Sequence, residues 1–217
     1  MKKYIFILFI FLSSVPVLAQ NVSFSVVVDP QMTWMVSDVK DVQSEGSQFG
    51  FNFGLVFDKF FTDNYAFSSG VFLWTTGGTM SFSDTTTLSF RSGDETIPSG
   101  LPVTYRLQYL TVPVALKLNS NQIGYFSFFA HLGLNSHINI MKSADVPDLD
   151  IDRVGIPDEI NIFNMSYFIG GGGEYSLGGS TAILAGVYYT KGFLDVTVNE
   201  SFKGTLGSVS LRVGIRF

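Results

Sequence analysis

Lys117, Glu174, Arg212 and Arg216 are charged residues set among apolar neighbours, in segments where every second side chain is small or polar. Thr111, Pro113 and Ala115 share a parity with Lys117, while Leu110, Val112, Val114 and Leu116 occupy the opposite one. Charges placed on a sequestered face need opposite charges beside them. The four residues, with Arg106 as a further candidate, therefore suit an ion-paired network that fills and stiffens an interior, in preference to a path for solute.

Two other groups could carry chemistry. His131 and His137 lie six residues apart on one parity of one segment, roughly 20 Å if it is extended. That is too far for one shared metal ion. A hydrolase would need a Ser or Thr nucleophile beside a histidine with an orienting group. Ser127 and Ser136 lie nearby in sequence, but no spacing motif marks either, so no catalytic residue is assigned. Asp148, Asp150, Asp152 and Glu159 fall in the register of a calcium-binding loop, with Arg153 where that loop requires Gly and Pro157 stiffening its second half. Helices should flank such a loop and none is expected here, so a solvated acidic surface loop is the simpler reading. No metal or cofactor is assigned. Gly170 to Gly173 do not form a phosphate-binding loop; inside a strand, Gly marks close backbone approach.

These residues need a scaffold, and the alternation supplies one. From Gln48 to Phe57 the bulky residues Phe49, Phe51, Phe53 and Leu55 alternate with Gly50, Asn52 and Gly54. From Ser208 to Phe217, Val209, Leu211, Val213 and Ile215 alternate with Ser, Arg and Gly before the terminal Phe217. Four aromatic or aliphatic groups on one strand face would promote aggregation in water; against hydrocarbon they are at home. Hydrophobic residues make up 46% of the 217 and charged ones only 14%, well short of a water-facing surface. A soluble ligand-binding barrel, with the apolar set inside, would need a more charged exterior.

Eight segments carry the pattern, near 22–35, 48–59, 64–77, 104–118, 124–138, 162–176, 180–192 and 206–217. The connections alternate long (Val36–Ser47, Gly78–Val103, Asn139–Asn161, Gly192–Leu206) with short (Phe60–Thr62, Asn119–Gln122, Ser176–Gly179). The expectation is all-β: an eight-stranded antiparallel up-and-down transmembrane β-barrel with short periplasmic turns and long extracellular loops. Tyr65, Trp74, Tyr125, Tyr167, Tyr175, Tyr189 and Phe217 are expected in interfacial girdles, and Phe217 as the C-terminal insertion signal. Pro113, inside a strand, should interrupt a ladder. The loop Gly78–Val103, rich in Thr, Ser and Gly, suits a mobile exposed segment that touches a partner.

At the N-terminus, Met1-Lys2-Lys3, the apolar stretch from Tyr4 to Leu12 and Val17-Leu18-Ala19 read as a secretory signal peptide (1–19) cleaved near Ala19, leaving 20–217 as one barrel domain in the outer membrane. Cys is absent, so neither lipid attachment to a thiol nor a disulfide framework is available, and a net charge of -5 argues against nucleic acid. The partners expected are outer-membrane lipid and lipopolysaccharide, the barrel-assembly machinery and an unidentified envelope protein.

Tyr109-Leu110-Thr111-Val112-Pro113-Val114-Ala115-Leu116-Lys117 resembles a strand of PorT-like outer-membrane β-barrel proteins of Bacteroidota. Phe67–Leu73 and Ile169–Tyr175 resemble two further strands of that family, with Phe72 and Leu73 departing from its aromatic placement. The resemblance implies a barrel whose members include a protein-secretion accessory and many surface proteins. Three classes of role are therefore carried forward: a non-enzymatic envelope or surface-interaction barrel, a secretion accessory, and a lipid-modifying enzyme or small-solute channel.

Overall fold

A computed structural model describes residues 21–157, 159–198 and 202–217. The expected signal peptide and its cleavage near Ala19 lie outside the described residues. Among the described residues eleven strands form, in chain order: β1 (Val22–Val36), β2 (Val42–Phe60), β3 (Tyr65–Phe82), β4 (Thr86–Phe90), β5 (Gly93–Ile97), β6 (Pro102–Asn119), β7 (Phe126–Val146), β8 (Ile151–Gly155), β9 (Phe163–Gly178), β10 (Thr181–Gly192) and β11 (Thr205–Arg216). Eight of them close a ring, β1-β2-β3-β6-β7-β9-β10-β11, in which every neighbour is antiparallel and β11 returns to β1. The eight expected segments are these eight strands.

Closure gives each of the eight barrel strands a partner on both edges, which is what a barrel surrounded by hydrocarbon requires. Residues 61–64, 120–125 and 179–180 make the tight connections at one end, and the chain terminus meets them there. Phe217 donates its N–H to the Phe24 carbonyl at 2.8 Å, and the Phe24 N–H returns a contact of 3.4 Å.

The strands run further toward the long-loop end than expected. β2 starts at Val42, β3 continues to Phe82 and β7 to Val146. Crossing hydrocarbon needs only about 9–11 residues, so strands of 18 to 21 residues such as β3, β6 and β7 project well beyond it. The segment expected to be a mobile loop is instead built: β4 and β5 pair as a hairpin from Thr86↔Ile97 to Phe90↔Gly93. Leu88, Phe90 and Ile97 are buried and join Met80, Val103, Tyr105, Ile156, Val196 and Phe202 in an apolar cluster that caps the long-loop mouth. Their alternation is short and diluted by Thr and Ser, so composition concealed it.

Pro30 and Pro113, the prolines in strand interiors, stand where a ladder breaks. Pairing of β3 with β6 stops at Ser69↔Val114 and resumes at Phe72↔Thr111, and Ser69 Oγ donates to the Pro113 carbonyl at 2.8 Å. Pairing of β1 with β11 skips Asp29 and Pro30 between Val28↔Val213 and Gln31↔Ser210. Proline lacks the N–H a ladder needs.

Candidate functional site

Inward parity on seven barrel strands delivers Asp29 (β1), Asp58 (β2), Lys117 (β6), His131 and His137 (β7), Glu174 (β9), Tyr188 (β10) and Arg212 and Arg216 (β11) to the lumen. Lys117 Nζ lies 2.8 Å from both Asp58 Oδ2 and Glu174 Oε1. Arg216 reaches the other Glu174 oxygen at 2.5 Å, and Ser68 Oγ donates to Asp58 at 2.6 Å. Arg212 forms a two-pronged pair with Asp29, Nε at 2.9 Å and Nη2 at 2.8 Å from the two oxygens. Its guanidinium also stacks 4.0 Å over the Tyr188 ring and 5.1 Å over Phe72. Three carboxylates meet three cations, so the layer is neutral as a whole. That balance is what burial in a low-dielectric interior demands.

The four expected luminal charges are therefore brought together, but through two acids, Asp29 and Asp58, that the sequence reading did not name. Their parity within β1 and β2 carries the signal. Arg106 is not part of the network. It sits on the outward parity of β6 and pairs with Asp145 at 2.6 Å near the long-loop rim. Its even number, opposite to that of Thr111 and Lys117, already places it there.

Aromatic rings and glycines share the interior. Phe72 faces Gly54 across the β2–β3 ladder, and a Cβ on Gly54 would lie 2.3 Å from that ring; Tyr188 stands in the same relation to Gly170 across β9–β10. The departure at Phe72 from the resembled strand thus has a structural counterpart: a large ring occupies the space a missing side chain leaves. Eight strands enclose just enough room for such side chains, and what stays open near the two histidines is a cavity of about 50 Å³.

His131 Nδ1 is 3.0 Å from the Tyr188 hydroxyl. Tyr188→Phe is expected to destabilise the barrel by about 1 kcal/mol, read from urea unfolding in micelles, with Arg212 stacking kept. His137 lies between two hydroxyls, with Thr111 Oγ1 2.8 Å from Nδ1 and Ser166 Oγ 2.8 Å from Nε2. The hydroxyl partner is thus Ser166, not the sequence neighbours Ser127 or Ser136. Nucleophile and base distances are met. However, Thr111 is a neutral orienting group, and Ser166 is 1% exposed and also accepts from Asn135 Nδ2 at 3.1 Å. Such an arrangement locks an imidazole in place more readily than it presents a nucleophile to substrate.

Trp74 is not in a girdle. Its inward parity on β3 places it 4% exposed, stacked on His137 with ring centroids 4.3 Å apart. Tyr65, Tyr125, Tyr167, Tyr175, Tyr189 and Phe217 stand on the outer wall. Phe49, Phe51, Phe53 and Leu55 of β2, Leu110, Val112, Val114 and Leu116 of β6, and Val209, Leu211, Val213 and Ile215 of β11 also point outward, each between 38 and 73% exposed.

The acidic loop does not assemble a cation site. Among the described residues no three metal-ligating side chains converge. Pro147–Leu149 forms a 3₁₀ turn, and Glu159, instead of facing the three aspartates, accepts from the Ser89 N–H of β4 at 3.1 Å. Glu159 is thereby committed to the hairpin, while Asp148, Asp150 and Asp152 stay exposed.

A closed ring of eight antiparallel strands, apolar outside and ion-paired inside, coincides with a match of residues 17–198 to the family described as outer membrane protein beta-barrel domain. The chain belongs to that family. In this outer-membrane barrel the outward apolar wall meets hydrocarbon, and the short turns and long loops take the periplasmic and external sides. Among solved structures it is similar to Neisserial surface protein A, at 11% identity over 91% of this chain and 96% of that one, with a TM-score of 0.54. Ail of Yersinia pestis is 14% identical over 90% of this chain and 97% of its own, at a TM-score of 0.43. OprG from Pseudomonas aeruginosa is 11% identical over 90% and 94%, at 0.49. At such identities the likeness is one of fold. No curated protein sequence matches the chain.

Proposed function

We propose that this barrel is a non-enzymatic outer-membrane protein that acts through its outer wall and external loops, in envelope structure or surface interaction. One observation carries the reading: the lumen is blocked twice, by the neutral layer of Asp29, Asp58, Lys117, Glu174, Arg212 and Arg216 and by the apolar cap over the long-loop mouth. With the interior committed to packing, the surfaces left for work are exterior. Refolded protein in a planar bilayer is expected to give no conductance above background. Discrete conductance steps from protein shown to be folded would overturn the reading.

The strand resemblance at Tyr109–Lys117 supports a finer version, a PorT-like accessory of protein secretion. Deleting the gene would then strand secreted cargo in the periplasm, whereas a purely structural role would leave secretion intact.

A further inference from the structure

On the outer wall, toward the long-loop end, a groove of about 640 Å³ opens where β3, β6, β7 and β8 meet. A β-bulge makes it. Pairing of β6 with β7 passes from Gln108↔Met141 to Tyr109↔Asn139, leaving Ile140 unpaired. The extra residue re-aims its neighbours, so two consecutive apolar side chains, Ile140 and Met141, are both more than half exposed. Below them the groove runs into the apolar wall at Leu110 and Ile138; Ile162 closes its far side.

Its upper lining is cationic, and four separate segments supply the charge: Arg91 from the β4–β5 turn, Arg106 from β6, Lys142 from β7 and Arg153 from β8. The fold holds them there. The Arg91 N–H donates to the Gly155 carbonyl at 2.8 Å, and its side chain lies across Gly155. Arg153 adopts a left-handed backbone (φ 50°), and its N–H donates to Asp145 Oδ1 at 2.8 Å. That conformation is costly for a residue with a Cβ. Asp145 is the one carboxylate paired with a groove cation among the described residues, through Arg106; Lys142 Nζ donates to the Ile160 carbonyl. A chain of net charge -5 thus gathers a local surplus of positive charge directly above its hydrocarbon-facing belt.

We propose that this groove binds a phosphorylated acyl lipid of the outer leaflet, its phosphate against Arg91, Arg106 and Arg153 and an acyl chain along Ile140, Met141 and Ile162. Guanidinium forks match phosphate oxygens bidentately. The junction of cationic rim and apolar wall lies at the depth where a lipid headgroup joins its tails. The inference rests on the outer-membrane placement and not on whether the lumen conducts.

The test reconstitutes the folded protein in phosphatidylcholine vesicles containing monophosphoryl lipid A or, in parallel, its dephosphorylated form, and counts retained lipid by native mass spectrometry after re-extraction. Wild type is expected to keep about one phosphorylated lipid per barrel. R91Q/R153Q should lower retention by tenfold or more, at roughly tenfold for each lost charged contact. The charge-matched control K191Q/K203Q, on other parts of the exterior, should leave it unchanged. Heat-modifiable migration reports folding in each case. If the double variant does not fold, R91Q alone retains the backbone anchor to Gly155 and should still lose about tenfold. Equal retention of the dephosphorylated lipid, displacement by inorganic phosphate at matched concentration, or unchanged retention in R91Q/R153Q would each overturn the proposal. So would a variant that alters self-association or protein capture while lipid retention stays the same.

Discussion

Replacing Lys117 by Met is expected to cost the folded barrel about 3–5 kcal/mol, because removing one partner of a buried ion pair leaves the other charge uncompensated. Asp58 and Glu174 are 1% and 2% exposed, so neither can turn to water. Arg216 still holds Glu174 and Ser68 still donates to Asp58, yet the layer would carry one surplus negative charge. The double variant K117M/D58N restores neutrality and should recover most of the loss. Urea unfolding in micelles, followed by the fluorescence of Trp34 and Trp74, checks both. A K117M barrel within about 0.5 kcal/mol of wild type, the range of an ordinary surface change, would show that the luminal charges are not coupled.

The second large effect belongs to the outer wall. Val112→Arg, and likewise Phe51→Arg, should destabilise the inserted state by roughly 2–4 kcal/mol if the site lies at the midplane of the hydrocarbon. Val198 on the β10–β11 loop is also apolar and exposed, at 56%, but stands outside the bilayer. Val198→Arg should change stability by no more than about 0.5 kcal/mol. Equal effects at the two valines, measured by heat-modifiable migration and unfolding in lipid vesicles, would mean that exposure alone, and not hydrocarbon, sets the cost at Val112.

Most of the barrel was legible because alternation with a period of two is a direct consequence of strand geometry, and eight segments carry it with few breaks. The same parity argument, applied to Asp29 and Asp58, would have completed the ion-pair layer, and applied to Trp74 it would have moved that ring from girdle to lumen. Other features left no local trace. The pairing of Phe72 with Gly54 depends on strand register, which the sequence of either strand does not state. The β4–β5 hairpin is visible only through Leu88, Phe90 and Ile97, three apolar residues in a polar tract, whose burial depends on Tyr105, Ile156 and Phe202 arriving from elsewhere. Spacing alone also could not show where Glu159 goes, because it accepts from a β4 backbone amide that lies 70 residues away.

The junction of β1 with β11 joins segments far apart along the chain, and there Pro30 costs the ladder its regular bonds while the Asp29–Arg212 fork spans the gap. A ring has no free strand to peel away, so it must come apart at its weakest link. That fork joins the first strand of the cylinder to the last, and it supplies a side-chain fastening where the ladder between them has none.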